Sequence, residues 1–167
     1  GCSKGFEKTK AWVVKMRVLI VGNRYTSNMD VFENKEYRTF KIANALKNAG
    51  LSVKVLLINY RNNDVSSSSE TVTFSLKSKQ LLKHRKQVSQ SIKYFSPTLV
   101  WFTNGPIVGL VAKSFFSSLM RTTSLYEVLD NYQTYYPSLL FPVTLFDKWM
   151  RRHSAYCSYV STELLKA

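Results

Sequence analysis

The sequence predicts an α/β fold in which helices cover both faces of a doubly wound, mainly parallel sheet, giving three layers in one domain. Apolar runs without alternation, such as residues 18–21 and 55–58, are typical of strands that are covered on both faces. Segments with helical periodicity alternate with these runs, as they do in parallel α/β sheets. The 167 residues, 45% of them hydrophobic, are enough for one domain with a sizeable core.

The first strand, first helix and second strand lie within residues 17–58. The run 18–21 predicts the first strand, which ends at Gly22 and is followed by a long polar loop. An apolar stripe at helical spacing predicts the helix, and it consists of Phe40, Ala43, Leu46 and Ala49 beside Ile42. Gly50 supplies the left-handed residue that ends many helices, and the second strand follows it. Two strands joined through a helix should be parallel with a right-handed crossover, so this is a Rossmann-like opening unit.

The later elements are predicted in the same alternation, after a polar, serine-rich loop. They are a strand at 71–76, a basic helix at 77–95, a strand at 99–102, a helix at 106–119, a strand at 123–129, a helix at 143–154 and a strand at 156–160. Pro106 suits the first turn of its helix. Residues 161–163 read as the first turn of another helix, so we expect the chain to be part of a longer protein.

Composition limits the possible partners. A net charge of +14 predicts attraction to polyanions, namely nucleic acid, an anionic membrane face or phosphorylated ligands. No apolar run reaches the roughly 18 residues that suggest a membrane span. Cys2 and Cys157 match no disulfide or metal pattern and are expected to be free thiols. Residues 1–15 are interpreted as a basic leader or an appended remnant, ahead of a domain at 16–167.

The order of these motifs resembles that of a known family. The first helix is similar to the pattern R-x-x-x-x-A-x-A-L-x-x-x-G-x-x-V, with Arg38, Ala43, Ala45, Leu46, Gly50 and Val53 at its fixed positions. Residues 97–110 are similar to P-D-V-V-H-x-H…G-P-x-x-G, and residues 155–165 to A-D-x-V-I-x-V-S-E-x-x. The chain thus resembles the N-terminal, acceptor-side domain of family-four retaining glycosyltransferases of the GT-B fold. It departs from the family at Trp101, Thr103 and Leu129, where histidines are common.

The resemblance implies the acceptor-binding domain of a sugar-nucleotide-dependent, hexosyltransferase-type enzyme. The acceptor would be a lipid or a cell-envelope glycan, and the protein would be cytoplasmic and peripheral on the inner membrane face. The partners would be a C-terminal donor-binding domain and the acceptor itself. The resemblance implies no cofactor or metal in this domain, because the nucleotide-sugar donor is held mainly by the second domain. The chain alone is therefore expected to be inactive.

The candidate binding residues follow the first and fourth strands. Gly22, Asn23 and Arg24 form the first group, in which Gly22 lets a ligand approach the backbone and Arg24 pairs with a phosphate. Alternatively, Gly22 only makes the turn and Arg24 is solvated. Asn104 and Gly105 stand at a strand end and a helix N-terminus, which is an anion site or simply a helix cap.

After the fifth strand, Asp130 is the candidate catalytic residue that orients a sugar hydroxyl, with Asn131 as a neighbouring ligand. Alternatively, Asp130 caps a turn. His84 and His153 are each isolated beside basic residues and are interpreted as surface residues. No cluster of residues has the spacing of a metal site, and no nucleophile motif is present.

The helix at 77–95 has a cationic surface that includes Lys83, Arg85 and Lys86. One interpretation is contact with anionic lipid, with Tyr135 and Phe141 supplying apolar insertion. The alternative is a solvated outer face. Two other functions stay open: a basic nucleic-acid-binding module, which no recognition motif supports, and a non-catalytic, flavodoxin-like interaction domain.

Overall fold

The computed structural model of the chain describes residues 16–26, 29–128 and 141–159. Its strands are β1 (Arg17–Asn23), β2 (Tyr25–Thr26), β3 (Met29–Asp30), β4 (Ser52–Asn59), β5 (Thr71–Ser75), β6 (Leu99–Phe102), β7 (Ser124–Val128) and β8 (Tyr156–Tyr159). Its helices are α1 (Arg38–Asn48), α2 (Leu81–Phe95), α3 (Pro106–Phe115), α4 (Ser118–Arg121) and α5 (Phe141–Arg152).

Six strands form one parallel sheet in the order β5-β4-β1-β6-β7-β8, which confirms the predicted fold class. The chain starts in the middle of the sheet, builds outward to β5, then crosses to β6 and builds outward the other way. The reversal lies between β1 and β6. In such sheets ligands bind in the crevice at the carboxyl ends of the two strands beside the reversal.

The two faces of the sheet carry separate hydrophobic cores because side chains alternate along each strand. α1 covers one face, where its buried residues Phe40 and Ala43 pack with Val18, Ile20 and Leu57. The other face is covered by α2, α3 and α5. That larger core includes Val21, Ile58, Phe74, Val88, Ile92, Phe102, Val108, Ala112, Tyr126 and Met150. Gly50 has a φ of 83°, as the predicted helix end requires.

Among the helix boundaries that differ from the sequence predictions, two have identifiable reasons. α2 begins at Leu81 rather than at 77, because the side-chain oxygens of Ser75 and Ser78 accept bonds from the backbone N–H groups of Lys77 and Gln80. The predicted helix at 106–119 ends at Phe115. Phe116 leaves the helical conformation and places its ring against Phe74, with 5.0 Å between the ring centroids.

The segment after β1 was predicted as a polar loop, and it contains a short antiparallel hairpin instead. Tyr25 pairs with Asp30 and Thr26 pairs with Met29. The backbone N–H of Arg24 donates to the carbonyl of Ile58 at 2.9 Å, which ties the hairpin to the end of β4. The hairpin therefore has a fixed place beside the carboxyl ends of the strands.

Candidate functional site

A cleft of about 320 Å³ lies at the reversal point of the sheet. Asn23 reaches it from the end of β1, and Asn104 and Gly105 reach it from the turn after β6. Tyr60, which follows β4, provides an aromatic wall, and the rest of the lining is Pro106, Ile107, Val108 and Val143. The structure thus brings together three of the predicted binding residues. They meet because β1 and β6 are direct neighbours in the sheet.

Asn104 has an unusual backbone, and both polar atoms of its side chain bond within the protein, which leaves one N–H of Nδ2 and one lone pair of Oδ1 for a ligand. Its φ of 64° is in the left-handed region, and Gly105 follows with a φ of 92°. The Asn104 Nδ2 donates to the hydroxyl of Tyr37 at 2.9 Å, and its Oδ1 accepts from the hydroxyl of Thr103 at 2.9 Å. Gly105 is the N-cap residue of α3, as the helix-cap alternative for Asn104 and Gly105 expected, but no side chain bonds to the first turn of this helix, so Asn104 itself does not cap it. A non-glycine residue held in this region is more often found at functional sites.

Asn23 has one polar side-chain atom that makes no hydrogen bond to the described residues. Its Oδ1 is buried and has no hydrogen-bond partner among the described residues. A buried amide oxygen without a partner is uncommon in folded proteins and calls for an explanation. Together with the Asn104 amide and the Tyr60 ring, it gives the cleft the mixture of polar and apolar groups found in small-molecule sites.

Gly22 serves packing and not ligand approach. The position that its Cβ would occupy is 2.9 Å from the Oγ1 of Thr103, 3.0 Å from the Oδ1 of Asn104 and 3.2 Å from the Oγ1 of Thr39. These three side chains fill the space beside the glycine. Gly22 also lies within β1 and has no positive φ, so it is not required by a turn. Both sequence interpretations of Gly22 are therefore corrected.

Arg24 also differs from both sequence interpretations, because only 2% of its side chain is exposed. Its Nη2 lies 2.9 Å from the Oδ2 of Asp30 and 2.6 Å from the Oδ2 of Asp64. Burial alone would lower the pKa of Arg24, but hydrogen bonds and charge from the two aspartates outweigh it and raise that pKa. Arg24 is thus neither solvated nor free to pair with a phosphate. It joins the β2–β3 hairpin to the loop that carries Asp64.

An ion pair that the sequence did not reveal borders this site. Arg38, the first residue of α1, bonds to Glu127 of β7, and this hydrogen bond raises the pKa of the Arg38 guanidinium. Glu127 is buried, and its Oε2 has no partner within the described residues. The sequence held one indication of this ion pair, namely a carboxylate within the mainly apolar strand SLYEV. Arg38 is half exposed, so this charged pair can be reached from solvent.

The shared register of β1, β6 and β7 ends at Val21, Phe102 and Tyr126, which lie level with one another. The next residues, Gly22, Thr103 and Glu127, therefore lie level on the α1 side of the sheet. Thr39 of α1 packs on this row, and its Oγ1 is also buried without a partner in the described chain. The result is a continuous polar band under the N-terminus of α1. It adjoins the cleft through Asn104.

The predicted catalytic residue Asp130 lies outside the described residues, as do Asn131 and Tyr135. Phe141 is the first residue of α5, and its side chain is likewise not described. Lys83, Arg85 and Lys86 are exposed on α2. The Arg85 Nε donates to the carbonyl of Phe115 at 2.9 Å, so this residue links α2 to the end of α3.

The surface assignment of the two histidines is half right. His153 is exposed and stacks on Trp149, with 4.5 Å between the ring centroids. His84 is buried beneath α2, where its ring lies 5.5 Å from that of Phe74. Burial lowers the pKa of His84, and a backbone bond at Thr73 opposes this shift. Helical spacing could have revealed this, because residue 84 lies between Leu81 and Val88 on the apolar face.

Cys157 is a free thiol, as predicted. Within the described ranges, no group of three or more His, Cys, Asp or Glu residues could hold a metal ion. No helix in those ranges has the length and apolar character needed to cross a bilayer. The chain matches no protein-family model, and no curated protein or solved structure is significantly similar to it. The fold and the cleft therefore carry the functional argument.

Proposed function

We propose that this chain is the acceptor-binding domain of a sugar-nucleotide-dependent glycosyltransferase. The observation that carries the proposal is the meeting of Asn23, Asn104 and Tyr60 in one cleft at the reversal point of a 3-2-1-4-5-6 parallel sheet. Amide groups donate and accept hydrogen bonds, as sugar hydroxyls require, and an aromatic ring suits the apolar face of a sugar ring. The sequence resemblance to GT-B acceptor domains supports the same assignment.

In this proposal the domain holds the acceptor hydroxyl while a C-terminal domain supplies the nucleotide-sugar donor. Asp130 would orient the reacting hydroxyl, since in sequence it follows β7, whose carboxyl end lies at the edge of the sheet where the cleft is found. Glu127 is the second carboxylate of this segment, and it is already placed beside Arg38. The acceptor would be a lipid or a cell-envelope glycan at a cytoplasmic membrane surface. The exposed Lys83 and Lys86 of α2 support that setting through their charge.

The test is a titration with methyl hexosides, followed by the side-chain amide signals of Asn23 and Asn104 in ¹⁵N NMR spectra. We expect both pairs of signals to shift with a common dissociation constant. Asn23→Ala and Asn104→Gly should each weaken binding by roughly 2- to 10-fold, the worth of one hydrogen bond. Glycine at 104 accepts the left-handed backbone, so this variant removes the amide without adding strain.

Asn48→Ala is the matched control, because Asn48 is an exposed asparagine at the other end of α1. It should leave the affinity unchanged. If no hexoside shifts either amide, or if Asn48→Ala weakens binding as much as Asn104→Gly, the acceptor assignment is wrong. A tight, steeply salt-dependent affinity for an oligonucleotide, with no hexoside binding, would instead support the nucleic-acid alternative that the charge of +14 allows.

A further inference from the structure

A second depression lies between α3 and α5, on the outer surface of the sheet's larger helical layer. It has a volume of about 530 Å³, within the range of small-molecule sites. Its apolar lining consists of Leu110, Leu145, Phe146 and Trp149. The lining follows α5 for about two turns, which corresponds to a length of roughly 12 Å. We refer to it as the α3–α5 groove.

The rim of the groove is basic. Lys148, Arg152 and His153 complete its lining, which contains no acidic residue of the described chain. Asp147, the acid of α5, is buried, where it accepts hydrogen bonds from the Tyr126 hydroxyl at 2.7 Å and the Arg151 Nε at 2.8 Å. Asp147 therefore does not neutralise the cationic rim. The field at the groove favours an anionic group beside an apolar floor.

Trp149 forms a wall that is held from two sides. His153 stacks on it, and the Nζ of Lys113 lies 5.5 Å from the centre of its ring. Lys113 is buried and donates to the carbonyl of His153 at 2.8 Å. This arrangement fixes the indole and places a further cation close to the groove. An apolar wall that is already ordered loses little conformational entropy when a ligand binds.

The mouth of the groove exposes apolar side chains that the fold leaves uncovered. Leu145 is 47% exposed, and Ile107, one turn before Leu110 on α3, is 46% exposed. Ile107 and Val143 line the cleft at the reversal point of the sheet, and no residue lines both that cleft and the groove.

We propose that the α3–α5 groove binds one single-chain anionic amphiphile. Its hydrocarbon chain lies along Leu110, Leu145 and Trp149, and its anionic head pairs with Lys148 and Arg152. The apolar floor and cationic rim complement the two ends of such a molecule. This site is separate from the acceptor cleft and does not depend on the proposed function.

The first test is a titration of the 167-residue chain with hexyl, octyl and decyl phosphate below their micelle concentrations, measured by calorimetry. We expect one ligand per chain. Affinity should rise roughly fourfold with each methylene that enters the groove, and it should level off once the chain is longer than the groove. Octyl glucoside, which has the same tail and a neutral head, should bind at least tenfold more weakly than octyl phosphate.

The second test separates the groove from general charge attraction. Lys148→Glu/Arg152→Glu and Lys83→Glu/Lys86→Glu change the net charge equally, but only the first pair lines the groove. We expect the groove variant to lose at least tenfold in affinity for octyl phosphate and the α2 variant to lose less than threefold. Leu145→Gln, at a half-exposed position that tolerates a polar residue, should remove most of the dependence on chain length.

Several results would overturn the inference. Equal losses in the two charge variants would mean that only net charge attracts the head. Binding of several ligands per chain, or affinity independent of chain length, would exclude a defined groove. A sedimentation experiment in which Leu145→Gln dissolves a dimer would show that a second copy covers the groove. Adsorption to anionic vesicles that Leu145→Gln leaves intact, without binding of octyl phosphate, would indicate a bilayer contact elsewhere on the chain.

Discussion

Replacing Gly22 with alanine tests how tightly the polar band at the strand ends is packed. The new Cβ would lie 2.9 Å from the Thr103 Oγ1, 3.0 Å from the Asn104 Oδ1 and 3.2 Å from the Thr39 Oγ1. Favourable carbon contacts need roughly 3.5 Å or more, and overpacking costs about 1–3 kcal/mol. The Thr103 hydroxyl cannot retreat freely, because its one proton is shared in a bifurcated hydrogen bond to the Asn104 Oδ1 at 2.9 Å and the Val21 carbonyl at 3.1 Å. Disturbing that bond adds about 1 kcal/mol.

We therefore expect Gly22→Ala to lower the free energy of unfolding by about 3 kcal/mol, or the melting temperature by roughly 6–12 °C in a chain of this size. Urea unfolding followed by far-UV circular dichroism measures this, and the slope against urea should not change. Thr103→Ala removes the nearest contact, so in that background Gly22→Ala should cost about 1 kcal/mol less. Strictly additive costs, or a neutral Gly22→Ala, would refute the packing argument.

Gly50→Ala is the control for the loss of a glycine as such. A Cβ at position 50 would meet nothing within 4 Å, but the φ of 83° disfavours alanine. The expected cost of roughly 1–2 kcal/mol is then entirely a backbone effect. It should not depend on whether residue 103 is threonine or alanine.

Two further predictions concern buried charge. Arg24→Met should lower the free energy of unfolding at pH 7 by about 2 kcal/mol, a value reduced because Asp64 is 40% exposed. Burial raises the pKa of Asp30, but the bond from Arg24 and its neighbours outweigh it and lower that pKa; the pKa of Asp64 is lowered chiefly by the Ser66 hydroxyl and also by Arg24. The stability that Arg24 contributes is therefore present above about pH 4 and is lost as the pH falls below it. A gap between wild type and variant that persists at low pH would contradict the ion-pair role. Burial lowers the pKa of His84, so wild-type stability should fall as the pH drops below about 6.5. Urea titrations at pH 7.5 and pH 5 measure how much free energy of unfolding is lost between these two pH values. This loss should be smaller in His84→Phe than in the wild type. An equal loss in both would mean that His84 is not the group responsible.

The order of strands and helices could be predicted because each element carries its own signal. The uninterrupted run at 18–21 and the stripe through Phe40 and Ala43 depend only on local burial, and both are confirmed. The helix boundaries depend on details that periodicity does not contain. Ser75 and Ser78 compete for the backbone at the start of α2, and Phe116 ends α3 by turning into the core.

The position of the cleft was predictable from the strand topology. Asn23 and Asn104 follow strands that lie side by side, and parallel strands present their carboxyl ends at one edge. The fates of Arg24 and Glu127 were not predictable. Arg24 has one near partner, Asp30, which is 6 residues away, but its second partner Asp64 is 40 residues distant and Arg38 is 89 residues from Glu127, so nothing local identifies these two. From sequence alone, a charge next to a strand, such as Arg24, is interpreted as solvated. A carboxylate within a strand, such as Glu127, indicates a buried partner but does not identify it.

Three of the eight buried polar atoms that have no partner among the described residues lie at this same edge. Asn23 Oδ1, Thr39 Oγ1 and Glu127 Oε2 are all buried without a partner there, in elements that meet around Gly22. Each such atom costs about 1–3 kcal/mol, and a domain is typically stable by only about 5–15 kcal/mol. An apolar replacement at each position would be cheaper for folding alone. A ligand rich in hydroxyl groups, such as the proposed acceptor, would give these atoms the partners that the described residues do not provide.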